Sequence, residues 1–532
     1  MVASKTLGPW NKGLNLTSNR DLSVFLANNE LGEATNVVFS HEGFIEPRPG
    51  YKRYKYDFGT YDVIEVIGEL ELPNGSTVVF VQTIVSNADP ALRQAKLYMI
   101  TDRETCSLIY TPATGTVFTH VMSYQSTEPG HTGVLFFADT PLKSVMNDRL
   151  DLAGTWSVIP TNFAVPASNK GFIVKDRLFL FDYLGSKMWW SPANFILDFN
   201  NVNESVYGKD TFSEEPIETT IPEDGIRAVE FHNNNFYIFK KSKAYMFTYQ
   251  ALPGEDGYLR KISDNMGAFD STMFHDFIVV VNAKGVWRMD GTQFIDLQRQ
   301  MNFRFEIPLD HPNIKAQDIY IDDFNNNILF SFRDSVNDPN NPVAYHFIMN
   351  GNTGGWSRWD FLYAPDIASP GSKVYKAQGP STSRTILVNN DFTKKFITFC
   401  HYKPGPSLPD YHMDGDTTSF VDDTYYYIPE VTIKTSANFG DSPLRYVKLY
   451  RTFIRFYMSD IPADQLPPDT DLWSLSINYN SYKFEYDTEP DGNPIFVLHP
   501  TNRPLVEQAR GGRKAPKGGN GVSEVYQRTY QI

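Results

Sequence analysis

The residues best typed for chemistry in this chain fall in a few short stretches. In "DYHMDGD" (410–416), His412, Asp414 and Asp416 surround a glycine and offer imidazole and carboxylate ligands to a cation. The calcium-loop order D-x-[DN]-x-[DN]-G is not met, so the stretch reads as a solvated acidic turn. Cys400-His401 sets a thiol beside an imidazole. Neighbours on a strand point to opposite faces, so the two are poorly placed to act together, and no triad partner is in view. Carboxylates are plentiful, but glycoside cleavage needs two of them at a defined separation, which spacing in sequence does not give. The motifs GxxxxGK[ST], HExxH and GxSxG are absent. The expectation is a protein that is not an enzyme, with no catalytic residue, metal site or cofactor.

"NGNTGGWSRW" (350–359) approaches the Asp-box turn of sialidase propellers, with Asn352 where the carboxylate would stand and the tryptophan displaced. A β-turn over packed Trp356 and Trp359 accounts for it better. The basic run from Arg510 to Lys517 could touch nucleic acid, but it lacks interleaved aromatics and reads as a flexible solvated loop. Whole-chain charge agrees: 48 Lys and Arg against 62 Asp and Glu give a formal net −14, and such a chain has no global pull toward phosphate. Two cysteines, Cys106 and Cys400, exclude a disulfide scaffold and read as structural thiols. The N-terminal stretch has no apolar signal core, and no segment approaches the roughly 20 apolar residues of a membrane span.

The elements that would have to position any site are short strands. Aromatics make up 14% of the 532 residues, which favours strands, and Asn, Gly, Pro and Asp punctuate them. Seven apolar runs recur: 77–84, 133–139, 177–182, 235–240, 276–282, 327–332 and 384–390. Their starts lie roughly 40 to 60 residues apart, the spacing of propeller blades, and each is followed by a turn and an aromatic-rich strand. Runs of five or six apolar residues fit strands covered on both faces. The predicted fold class is therefore all-β. A β-propeller of about seven blades occupies 57–405, preceded by an extended N-terminal arm at 1–56. After the linker at 401–420 the strands lengthen and alternate, predicting a C-terminal β-sandwich or platform at 406–532 with a flexible basic tail loop.

The arm carries a pattern: Gly13-Leu14-Asn15, Asn29-Glu30, Ala34, Asn36, Gly43 and Arg48-Pro49-Gly50. It resembles the start of virion proteins of tailed bacteriophages, in which such an arm precedes a β-propeller. Patches at 189–200, 264–294 and 432–458 resemble them too. The closest fit is the tail nozzle, or tail tubular protein B, of short-tailed phages. That resemblance implies a structural protein of the viral tail, assembled in the bacterial cytoplasm as a hexameric conduit for DNA ejection. It also implies partners: the adaptor below the portal, tail fibre or spike proteins outside, and DNA passing through the lumen without specific binding.

Two readings of the arm stand side by side. In one, Ile45, Pro47, Arg48, Pro49 and Tyr51 dock on a neighbouring subunit or the adaptor. In the other, the arm is an edge strand closing the chain's own sheets, since proline is tolerated at an edge in both. An arm without a core of its own is expected to be removable, leaving a folded propeller. The alternative function is a propeller-type receptor- or carbohydrate-binding virion protein, although repeated lectin sites would demand blades more alike than these.

Overall fold

The computed structural model describes residues 12–14, 30–39, 45–47, 51–54, 58–59, 61, 63–71, 77–85, 89–101, 105–125, 132–138, 145–147 and 156–158. It continues through 164–193, 196–199, 213–216, 225–248, 258–298, 319–324, 327–334 and 343–359, and beyond 359 describes strand segments only. Among these residues strands group into seven antiparallel four-stranded units, five of them separate sheets and two of them parts of larger sheets. Blade 1 comprises Val63–Glu71, Thr77–Val85, Gln94–Thr101 and Thr105–Tyr110; blade 2 comprises Phe118–Gln125, Thr132–Ala138, Val145–Asn147 and Ser157–Val158. Blade 3 is built from Lys170–Val174, Arg177–Asp182, Lys187–Trp190 and Ser213–Pro216, and blade 4 from Ile226–His232, Asn235–Lys240, Ala244–Thr248 and Tyr258–Ser263. In blade 5 the strands are Asp270–Phe274, Phe277–Asn282, Gly285–Asp290 and Gln293–Asp296; in blade 6, Ile319–Phe324, Asn327–Asp334, Val343–Asn350 and Trp356–Trp359. Blade 7 takes three strands from late in the chain, Lys373–Ala377, Arg384–Asn389 and Phe396–His401. Its fourth is the arm strand Tyr51–Tyr54.

The first strands of successive blades lie beside one another, those of blades 3 and 4 joined by the Lys170 side chain on the Val229 carbonyl, and that of blade 7 returns to that of blade 1, so the ring closes. Closed radial repetition of four-stranded sheets defines a β-propeller. All seven apolar runs read from the sequence are second strands of their blades, not first ones. The reason is burial on both faces: Leu178, Phe179, Leu180 and Phe181 are all 0% exposed. The first strand faces the axis as well as its neighbours, so it mixes polar with apolar residues and shows no such run. Tight hairpins join first to second strands. Lys175-Asp176 and Asn233-Asn234 both have positive φ at each central residue, the backbone that two-residue hairpins of natural twist require.

The core lies in the seams between blades. Phe80 and Phe136 meet edge-to-face at 4.9 Å between blades 1 and 2, and Phe179 and Phe236 lie 4.6 Å apart between blades 3 and 4. One seam is stitched by a polar side chain. Gln82, 0% exposed, accepts from the Phe118 amide at 3.0 Å and donates to the Phe118 carbonyl at 2.8 Å, replacing a strand partner.

Two of the described C-terminal strands extend propeller sheets. Tyr425–Ile428 pairs with the free side of Tyr51–Tyr54, and Thr432–Thr435 pairs with Glu30–Thr35. Thr452–Phe456 pairs with Gly521–Val525, and Trp473–Leu475 with Ala509–Gly511. Among the described residues the only helical element is the 3-10 turn Pro90–Leu92. No helix there is long and apolar enough to cross a membrane.

Candidate functional site: the arm seam and the inner rim

The arm is threaded into the propeller. Gly13–Leu14 runs parallel to Glu30–Thr35 and meets blade 6 at Trp356, while Val37–Phe39 and Ile45–Pro47 form a small hairpin. The residues that make up the arm's sequence pattern are those the join constrains. Gly13 has φ +65°, and a Cβ there would stand 2.5 Å from the Trp356 nitrogen, so only glycine fits. Glu30, nearly buried, faces Lys12 at 3.9 Å. Ala34 is 1% exposed within the core shared by blades 5 and 6, where a larger side chain has no room without displacement. Asn36 adopts φ 59°, a left-handed conformation that asparagine tolerates better than most residues, and donates its amide to the Arg358 carbonyl at 2.8 Å.

Blade 6 supplies the other half of the join. The Val37 carbonyl accepts from Ser357 Oγ at 2.7 Å and from Trp359 Nε1 at 3.1 Å, and Asn350 Nδ2 donates to the Phe39 carbonyl. Asn350 Oδ1 also caps the turn that follows, accepting from the Asn352 and Thr353 amides. Trp356 and Trp359 are each 1% exposed, and Trp356 Nε1 donates to the Leu297 carbonyl at 3.0 Å. The "NGNTGGWSRW" stretch is thus a turn over packed tryptophans, as its sequence suggests.

Of the residues proposed for docking, Ile45 is half-buried and packs against the core of blades 5 and 6. Pro47 is paired with Val37, and Tyr51 lies between Cys400 and Tyr427 in the closing sheet. Arg48, Pro49 and Gly43 lie outside the described residues, as do Asp414, Asp416 and the basic run 512–517. The expectation that the arm is removable does not survive: Leu31, Ala34, Val37 and Phe39 are at most 2% exposed within the chain's own core. Isolated hydrophobes separated by polar residues are what a strand with one face buried displays, and they read equally well as a surface arm.

A second cluster sits where first strands meet around the axis. Lys170 and Asp270 each open the first strand of their blade. Lys170 Nζ donates to the Val229 carbonyl at 2.9 Å and faces Glu230 Oε1 at 3.4 Å, which also accepts from Ser271 Oγ at 3.1 Å. Asp270 accepts the Ile321 amide at 3.0 Å, and Thr119 Oγ1 donates to the Asn169 carbonyl at 2.8 Å. The chain of bonds therefore ties blades 2 through 6 together. Burial alone would depress the Lys170 ammonium, but Glu230, with Tyr183 and Asp270, outweighs it and holds the group above its ordinary range. Burial, aided by the Lys170 charge, pushes His120 down to about 3, so it is neutral in the fold and stacks on Phe137. Burial likewise raises the Tyr183 hydroxyl to about 12. Sequence reading missed this cluster because its members are scattered singly over 150 residues, from His120 to Asp270. Only Lys170 and Asp270 share a positional signal, each opening a first strand. Chemically, the arrangement fixes blade against blade.

Cys106 is half-buried against the blade 1 core, and burial raises its thiol to about 11, in keeping with a structural thiol. Among the described residues no group of three or more His, Cys, Asp or Glu side chains could hold a metal ion.

No family model matches the sequence, and no curated protein does. Among solved structures the chain is similar to YCF48 bound to a D1 peptide, at 10% identity and a TM-score of 0.36, over 67% of this chain and 99% of that one. It is similar to the Pan2 WD40 domain of Neurospora crassa at 9% identity and 0.35, over 67% and 95%. The AfRom2 CNH domain gives 10% identity and 0.28, over 53% and 94%. Strand order and ring closure, not these similarities, define the fold.

Proposed function

We propose that this chain is a structural interaction scaffold of a bacteriophage tail, a nozzle-like ring protein through whose assembled lumen DNA is ejected. One observation carries the reading. Gly13, Leu14, Glu30, Ala34 and Asn36, the described residues of the pattern that resembles that of tail nozzles, all lie at the join of arm to blade 6, three of them sterically or conformationally fixed. A chance pattern would not be expected to gather at one structural seam. Physical character supports it. The ring is closed by pairing of early with late chain, its seams are packed with aromatics, and its inner rim is bonded across five blades, all suited to rigidity under load. A formal net −14 suits a conduit that must not hold DNA.

In this reading the chain acts without catalysis, as copies in a cyclic ring with an adaptor above and fibres or spikes outside. Ile45, Pro47 and Tyr51 hold the arm in register with its own blades. The test is location. Gold-labelled antibody against the chain should mark the tails of phage particles carrying it, at the tip below the portal. Labelling of the capsid shell, or of no particle at all, would overturn the reading.

A further inference from the structure

Two consecutive strands from late in the chain grip the arm. Tyr425–Ile428 and Thr432–Thr435 have only residues 429–431 between them, yet the first belongs to the sheet of blade 7 and the second to the sheet of blade 6. The arm makes the opposite crossing, from Glu30–Thr35 in the sheet of blade 6 to Tyr51–Tyr54 in that of blade 7. Both pairings are antiparallel. Leu31, Glu33, Ala34 and Thr35 stand opposite Thr435, Lys434, Ile433 and Thr432, and Tyr51 and Lys52 stand opposite Tyr427 and Tyr426. Segment 425–435 therefore crosses from blade 7 to blade 6 with an arm strand beside each of its ends. Pairing is unequal on the two sides of Glu30–Thr35. Among the described residues blade 6 itself pairs with that strand only at Thr35, opposite Arg358, with the neighbouring Asn36 amide on the Arg358 carbonyl. Gly13–Leu14 adds partners for Glu30 and Leu31. Thr432–Thr435 instead covers the strand along most of its length. Without it, Glu30–Thr35 becomes an edge strand whose outward backbone groups lose their partners.

We propose that residues 425–435 form a clasp across the meeting of blades 6 and 7, and that arm and clasp open together, as one unit, ahead of the blades. Folded chains open locally in contiguous cooperative units, and elements tied by few backbone partners open first. The arm has no continuous ladder to blade 6, whereas second strands such as Arg177–Asp182 and Asn235–Lys240 are paired along both edges. Release of the clasp frees the strand that carries Leu31 and Ala34 into the core of blades 5 and 6, so this unit decides when that core is uncovered. The inference concerns this chain alone and does not rest on the tail reading.

The experiment is hydrogen–deuterium exchange of the full chain, read by mass spectrometry, for wild type and for the Thr432→Pro and Ile433→Pro variants. Thr432–Thr435 is the last strand of its sheet, so adjacent residues direct their amides alternately toward the arm and away from it. Proline is tolerated where the amide faces away and removes a ladder bond where it faces the arm. One of the two variants should therefore speed exchange about tenfold or more at both Glu30–Thr35 and Tyr51–Tyr54, with Arg177–Asp182 and Asn235–Lys240 unchanged. Faster exchange confined to residues 425–435 in both variants would overturn the clasp, as would an effect that reaches Glu30–Thr35 but not Tyr51–Tyr54. Wild type in graded urea covers the case in which proline prevents folding. There the arm strands and 425–435 should begin to exchange at one common urea concentration, below that of blades 3 and 4. An arm that exchanges only with those blades, or stays protected after 425–435 has opened, refutes the coupled unit.

Discussion

Leu31→Ala is the sharpest probe of whether the arm belongs to the propeller that carries it. Leu31 is 0% exposed and lies in the core cluster with Val279, Val281, Ile328 and Phe330 of blades 5 and 6. The substitution removes three carbons, each contributing about 0.8 kcal/mol of transfer free energy. Strands on both sides of Glu30–Thr35 prevent collapse into the gap, so a cavity term adds to this, and the expected loss is about 2 to 5 kcal/mol. The assay is urea unfolding of the purified chain followed by tryptophan fluorescence, to which the buried Trp356 and Trp359 report from the same seam. Leu184→Ala is the control, a leucine 75% exposed, expected to change stability by less than about 0.5 kcal/mol. Were Leu31→Ala as mild as Leu184→Ala in the isolated chain, the arm would gain its order elsewhere, on another subunit, and the intramolecular seam would be refuted.

Three further outcomes are expected. Gln82→Ala strips both partners from the buried Phe118 amide and carbonyl and should cost about 2 to 4 kcal/mol in the same assay, whereas a loss under about 1 kcal/mol would dissolve the stitch between blades 1 and 2. His120 is neutral in the fold with its pKa lowered to about 3, so between that pH and 6.5 the unfolded chain binds the extra proton. Its contribution to stability is complete above pH 6.5 and is lost as pH falls, at up to about 1.4 kcal/mol per pH unit, and His120→Gln should flatten that acid slope; an unchanged slope would contradict it. Lys170→Met leaves Glu230 facing a buried rim without its cation and should destabilise by about 3 kcal/mol near neutral pH. Because the Lys170 pKa is raised, the wild-type advantage over this variant should persist at neutral pH and disappear as alkaline pH passes the folded value, and an advantage that grew with alkali would refute the pairing.

How much of this was legible in the sequence follows from where each residue's constraint comes from. Second strands such as Arg177–Asp182 are apolar on both faces for a local reason, stacking between blades, so seven of them could be located and the blade number inferred. First strands such as Lys170–Val174 meet neighbours and axis at once, and their mixed character hid them. Nor does sequence reveal that Tyr51–Tyr54 pairs with Phe396–His401, because a ring closed by its two ends is joined by the most distant contacts in the chain. The arm's hydrophobes were visible, but whether they cover this chain or its neighbour depends on a partner surface that composition does not name. The inner-rim cluster was unreadable for the same reason. Lys170, Glu230 and Asp270 are unremarkable singly and become a unit only when blades are set side by side.

The claim that this propeller works as a ring is tested most directly by electron-microscopic class averages of the purified full-length chain at concentrations where it self-associates. The account predicts closed rings of six discs around an open lumen, each disc built of seven blades. Single discs at every concentration, or stacks and filaments without a closed lumen, would contradict it.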